Sequence, residues 1–277
     1  MLMIFYFAIP MGSGMGFMVG STIASLFGAW QWGVRITAIL GVICLMLIIV
    51  FIEEPERGKA EREKGEITAE IVATSYLEDL KALVTNQTYL FSTAGYTAIV
   101  FVVGTLTWWA PTAILHKDAW KGNVSNTDNL SPSVKSQVNL MYGAITCIGG
   151  IIGVSLGTIL SNLMRRGVGP FRFIQTERSD AIICAVGAIV GVPTLFFGIY
   201  EIQYNMIITW ILMFICITMT CFNWATNVDM LMAVIIPSRR NSAMSWQILC
   251  SHLFGDASGP YILGLRICVI SGKKYLL

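Results

Sequence analysis

The chain has 277 residues, 55% of them hydrophobic and only 12% charged, with 18 Lys and Arg against 16 Asp and Glu. A soluble domain carries about twice that charged share, so water is not the main solvent of this chain. A net charge of +2 spread thinly along it excludes a nucleic-acid surface.

Seven runs reach the roughly 20 mostly apolar residues that a spanning helix needs: 2–27, 33–52, 90–115, 138–164, 181–200, 204–236 and 242–265. They are unbroken rather than alternating in ten-residue strands, which selects helices over a β-barrel. The expected fold class is therefore all-α, a polytopic transmembrane helix bundle.

The first run begins at Met1 without a basic flank and is too long for a signal peptide. Gly12, Gly16 and Gly20 recur along it every fourth residue. Lipid gives no hydrophobic drive for helix association, so such small-residue rows let backbones approach closely. Between the second and third runs, 53–89 holds nine acidic and five basic residues and reads as a linker. Its end places Tyr76, Leu77, Leu80, Leu83 and Val84 on one side at helical spacing. That pattern suits a helix lying in the membrane interface, or equally a solvated helix resting on the bundle.

Trp108 and Trp109 stand near the end of the third run, where an aromatic belt would place tryptophan in any case. The following polar segment, 116–137, carries two glycosylation sequons, at Asn123 and Asn129, and a third sequon lies at Asn86. The fourth run repeats glycine at Gly149, Gly153 and Gly157, with Ser161 continuing the row, and Gly187/Gly191 and Gly255/Gly259 are shorter versions. Pro10, Pro111, Pro193 and Pro260 permit bends.

Basic residues cluster in 53–89, in 165–179 (Arg165, Arg166, Arg172, Arg178) and at Arg239/Arg240. The rule that short cytoplasmic loops carry the lysine and arginine excess puts those three inside. Asn123 and Asn129 then lie outside, where sugar is added, and Asn86 inside.

Ionisable groups at membrane depth cost about 3 kcal/mol or more near the centre and by default face the bundle interior or a water path. The sixth run carries Asn223, Trp224, Asn227 and Asp229, and the seventh Ser251, His252 and Asp256. Asn223/Asn227 and His252/Asp256 are each four apart on a helix. Because imidazole titrates near neutrality, His252 and Asp256 form a candidate proton relay; alternatively they are a hydrogen-bonded pair locking two helices. Asp229 is a further relay candidate, or part of an ion-pair network with Arg239 and Arg240. Trp224, deeper than a belt residue, could flank an acyl chain.

The seven cysteines lie in or beside apolar runs with no C-x-x-C and read as small buried hydrophobes. With only His116 and His252 as histidines, a zinc site of three or four protein ligands is not expected, and no cofactor is called for. His252 has no serine-and-carboxylate constellation beyond Asp256, so no enzyme is expected either.

The run from Ile4 through Pro10 and Gly14 to Phe17 resembles the fifth-helix motif of Spinster-type transporters in the major facilitator superfamily. The stretch from Asn223-Trp224 through Pro237, Arg239 and Arg240 to Ser251-His252 and Gly255-Asp256 resembles their tenth and eleventh helices, and Trp109-Ala-Pro111 the end of the seventh. The resemblance implies a proton-linked, alternating-access exporter of lysophospholipids or sphingolipids such as sphingosine-1-phosphate, in the plasma membrane or the late endosome and lysosome. The chain would supply helices five to eleven of twelve: 1–52 as a remnant of the first half, 53–89 as the linker, 90–265 as the second half and 266–277 as a divergent tail. Phe17, Trp109, Asn223, Trp224, Asn227, Ser251 and His252 are then the expected substrate contacts, with Phe17 standing where many relatives carry tyrosine. Lacking the other helices, the chain is expected to fold or transport poorly by itself. It could instead associate with a full-length transporter as a regulatory partner.

Overall fold

The computed structural model describes residues 2–52, 75–124 and 126–271, and these are helical with no strand among them. Six helices are long and apolar enough to cross a bilayer: α1 (Met3–Phe27), α2 (Gln31–Phe51), α4 (Gln87–Lys121), α5 (Pro132–Arg166), α6 (Ser179–Glu201) and α7 (Met206–Val234). The seventh expected span is helical but divided into α8 (Arg240–Ser251), a π turn (His252–Asp256) and α9 (Ser258–Ser271). At 12 residues α8 is too short to cross a bilayer by itself. The short α3 (Tyr76–Thr85) precedes α4. The linker residues 53–74 and the tail beyond Ser271 lie outside the described residues; the first part of the expected tail, from Arg266, continues α9.

Helix ends follow local chemistry. Gly28 and Gly167 take left-handed backbones that end α1 and α5. Asn86 Oδ1 accepts from Tyr89 N at 3.2 Å to start α4, and Pro132 occupies the first turn of α5, where its missing N–H costs nothing. α4 and α5 are each 35 residues long, so they run on past the apolar stretch. The polar segment expected over 116–137 shrinks accordingly to the residues between Lys121 and Pro132. α7 breaks at Cys221–Phe222 without proline, where Thr220 and Thr226 hydroxyls donate back to Cys216 and Phe222 carbonyls and loosen the helical ladder.

Packing runs through glycine. A Cβ on Gly153 would collide with the Thr218 carbonyl and sit 2.7 Å from Cys221 Cβ, and one on Gly157 would lie 2.9 Å from Phe222 Cα, so the expected α5 row does seat α7. Gly187 and Gly191 of α6 abut Met219 and Thr220 of α7, and Gly255 and Gly259 abut Val100, Phe101 and Thr105 of α4. The α1 row is different. Added Cβ atoms on Gly12, Gly16 or Gly20 would meet nothing within 4 Å, whereas one on Gly14 would sit 2.5 Å from the Gly143 carbonyl oxygen of α5, and Pro10 fills the notch at Gly150. Only the partner's position decides which face of a glycine-rich helix is used, and α5 takes the other one. The core between α1, α4, α5 and α7 gathers Tyr6, Leu106, Tyr142, Val154, Met213 and Cys221. α2 buries only Gly33.

α3 meets the bundle along one edge. Asp79 and Leu83 are its buried residues, while Tyr76, Leu77 and Val84 remain exposed. The helix rests on the bundle through one edge and leaves an apolar edge free.

Candidate functional site

His252 and Asp256 lie on the π turn, and proline explains the turn. Pro260 has no N–H to give the Asp256 carbonyl four residues earlier, and the ladder slips to a wider ring in which Ala257 N donates to His252 O at 3.1 Å. The turn is pressed against α4: a Cβ on Gly104 would sit 2.5 Å from Asp256 Cα, and one on Gly255 2.9 Å from a Val100 methyl. His252 Nδ1 stands 2.8 Å from Asp256 Oδ2, with the two side chains 64% and 39% exposed. The pair bonds within its own turn and projects outward, so it does not lock two helices together.

Tyr96 of α4 stands within electrostatic range of both Asp256 and Tyr6, and Tyr6 within range of Asp229. Trp224 meets the Tyr96 ring edge-to-face at 5.7 Å. Tyr6, Tyr96 and Trp224 thus gather between the two carboxylates. Nothing in the sequence sets these tyrosines apart from the chain's other aromatics.

The two asparagines of α7 are four apart yet meet different helices. Asn227 is locked: Ser92 Oγ donates to its Oδ1 at 3.0 Å, and its Nδ2 donates to Gln247 Oε1 at 2.9 Å. Gln247 Nε2 in turn reaches Ser92 Oγ at 3.4 Å. This buried knot ties α4, α7 and α8, and Gln247 and Ser92 were not singled out by the sequence. Asn223 donates to Thr220 O at 3.3 Å and abuts Gly187. Ser251 donates to Ile248 O of its own helix at 2.9 Å and is buried.

Other expected contacts also hold structure. Phe17 packs edge-to-face on Tyr142 at 5.1 Å, in the seam of α1 and α5. Trp109 Nε1 donates to Pro260 O at 3.2 Å and ties α4 to α9. Asp229 lies in the field of Asp180 and Arg165, which are themselves ion-paired with Ser161 donating to the same carboxylate. Arg239 turns instead to Asp79 at 2.9 Å, and Arg240 donates to Met232 O at 3.0 Å at the end of α7. Of the two arginines expected near Asp229, Arg239 is thus engaged by a different carboxylate. Asn123 and Asn129 are exposed, Asn123 with a left-handed backbone (φ 52°); Ser125 of the first sequon lies outside the described residues.

The chain is 40% identical over 267 residues to Protein spinster homolog 1 of Rattus norvegicus, covering 96% of this chain and 48% of that one. Protein spinster of Drosophila melanogaster is 38% identical over 265 residues (95% and 40%), and the Sphingosine-1-phosphate transporter SPNS2 of Mus musculus 36% over 264 (95% and 46%). The chain spans about half the length of the curated relatives it matches. None of these names belongs to an enzyme, and residues 1–260 match the family described as Major Facilitator Superfamily. With that match and six helices fit to cross a bilayer, the chain is an integral, multi-pass membrane protein that belongs to the Major Facilitator Superfamily.

Proposed function

We propose that this chain is part of a secondary transporter that moves an anionic single-chain lipid, a lysophospholipid or a sphingosine-1-phosphate-like sphingolipid, by alternating access coupled to protons. In this reading residues 1–52 and 90–265 belong to two halves joined by the 53–89 linker, with the Arg165 and Arg239 end facing the cytosol. The substrate class is supported by similarity to a relative named as a sphingosine-1-phosphate transporter.

One observation carries the mechanism: the 2.8 Å His252–Asp256 pair on an outward-facing π turn. An imidazole hydrogen-bonded to a carboxylate can pass a proton along that bond, and π turns recur at functional sites. Tyr96 stands in the field of Asp256 and of Tyr6, and Tyr6 in that of Asp229, so a change of charge on this pair is felt beside Trp224, which meets the Tyr96 ring. Trp224 and His252 are the contacts we assign to substrate beside this pair; Phe17, Asn223, Asn227 and Ser251 hold the helices around it, and Trp109 lies apart from it, tying α4 to α9.

The test is reconstitution in vesicles of the chain and of a form extended to the length of its relatives, with a fluorescent lysophospholipid inside. Flux above empty vesicles that steepens with a proton gradient is expected of the extended form. Flux no greater than that of empty vesicles from either form overturns the reading.

A second reading rests on the open Gly12, Gly16 and Gly20 face and on α2, exposed along nearly its whole length. A full-length transporter could cover both, making this chain a regulatory partner. Co-expression with the extended form then changes the latter's flux; an unchanged flux removes this alternative.

A further inference from the structure

A cavity of about 600 Å³ opens at the end of the bundle opposite Arg165 and Arg239, between α4, the end of α6 and α9. Trp109, Trp120, Ile199 and Ile202 give it apolar walls, His116 and Lys117 are its basic lining, and no carboxylate stands among its described lining residues. The volume is that of a small-molecule pocket.

Lys117 is the unusual member. Its side chain is only 14% exposed. An ammonium has three protons to donate, and its partners here are Asp118 Oδ1 at 3.2 Å and the Met206 thioether at 3.8 Å, the latter a weak acceptor. Asp118 supplies one anionic oxygen; the ammonium protons left facing a thioether, withdrawn from water, can take a second. The surrounding tryptophan and isoleucine faces favour an alkyl chain over a hydrated ion. Neither a bare hydrocarbon nor a free anion would use both features.

We propose that this cavity holds an anionic single-chain lipid, its phosphate on Lys117 and His116 and its chain against Trp109, Trp120, Ile199 and Ile202. It is a second station for the lipid of the transport reading, on which it rests, and it is distinct from the Trp224 and His252 region. Held there, the lipid reaches the far end of the bundle without either its head entering hydrocarbon or its tail entering water.

The experiment uses the purified chain in phosphatidylcholine nanodiscs with lysophosphatidic acid carrying a diazirine on its tail, followed by irradiation and peptide mapping. Labelling is expected on the peptides holding Trp109 to Lys121 and Ile199 to Gln203. Lys117→Ala should lower it about tenfold, while Lys117→Arg, which keeps the charge, should restore it to within about twofold. A monoacylglycerol with the same diazirine tail should label these peptides weakly, and millimolar inorganic phosphate should not compete. Equal labelling by the monoacylglycerol, loss of labelling to phosphate alone, or labelling confined to α2 overturns the proposal. So does an Ala113→Cys variant closed to a soluble maleimide without lipid, because polypeptide would then fill the space. Labelling here without flux in vesicles defeats the transport reading and leaves this station standing; flux without labelling here does the reverse.

Discussion

Asp79 on α3 and Arg239 before α8 are 160 positions apart and meet at 2.9 Å, with the carboxylate almost wholly withdrawn from solvent. Ser242 donates to the same carboxylate at 3.2 Å, and Leu83 one turn on enters a cluster with Tyr89, Leu231, Ile235 and Ala243. Tyr89 closes this end by donating to Ala243 O at 2.9 Å. The short helix therefore clamps α4, α7 and α8 where they converge. Removing one partner of a largely buried pair strands the other, so Asp79→Ala should destabilise the bundle by about 2 kcal/mol. Thermal melting in detergent measures this, and the Asp79→Ala, Arg239→Ala double variant should recover part of the loss.

Glycine placement makes the second prediction, because two glycines in similar sequence settings face different surroundings. At Gly153 a Cβ meets backbone of α7, which cannot swing aside, so Gly153→Ala should cost about 1–3 kcal/mol. At Gly16 a Cβ meets nothing, and Gly16→Ala should be neutral or stabilising by up to about 1 kcal/mol through helix propensity. Parallel melting curves decide it; equal losses at both sites would mean that α1 is packed on that face too.

The helices themselves were legible because a spanning rod must be apolar along its whole length, and the α5 glycine row because it continues to Ser161 against a close partner. Which face of α1 packs was not legible: Gly14 and the Gly12 row share one helix, and only the location of Gly143 separates them. What α3 rests on was not legible either. Its apolar side faces away, and Asp79, the residue that least suggests burial, is buried because Arg239 waits for it across 160 positions. The π turn could be suspected from Pro260 but not placed, since one proline is compatible with a kink, a π turn or a broken helix. Asn227 and His252 were noticed as polar groups at depth, yet their roles part on neighbours: Asn227 finds Ser92 and Gln247, whereas His252 finds only its own turn.

The Asn227 knot makes a graded prediction. Asn227→Ala leaves Gln247 Oε1 and Ser92 Oγ without their shared partner, and should cost about 1–2 kcal/mol. Asn223→Ala breaks one 3.3 Å bond to a carbonyl already in a helix and should cost less. A reversed order in thermal melts would mean that Asn223 has the more demanding environment.

Asn123 and Asn129 project from the exposed connection between α4 and α5, whereas Asn86 Oδ1 is engaged in capping α4. Expressed in a glycosylating cell, the chain should lose its enzyme-sensitive gel shift when Asn123→Gln and Asn129→Gln are combined. Asn86→Gln should leave the shift unchanged while costing about 1 kcal/mol of stability through the lost cap. Sugar on Asn86 would invert the orientation drawn from Arg165, Arg166 and Arg239.

Gly104 offers the sharpest test of the His252–Asp256 pair, because it acts on the pair without replacing either side chain. The Asp256 Cα and Cβ occupy the space a Gly104 methyl would need, and main-chain atoms on a helix packed against α4 cannot rotate away. Gly104→Ala must therefore displace the π turn and with it the 2.8 Å contact. In the extended form, transport should fall about tenfold or more, as misplacement of a working group by about 1 Å commonly costs, and the remaining rate should resemble that of His252→Ala. His252→Ala and Asp256→Asn should each flatten the dependence of transport on pH. Gly95→Ala, on the same helix with nothing near an added methyl, should leave both rate and pH dependence intact. If Gly104→Ala lowers the rate but keeps the full pH dependence, the turn matters for packing alone and the proton must enter elsewhere, with Asp229 the next group to substitute.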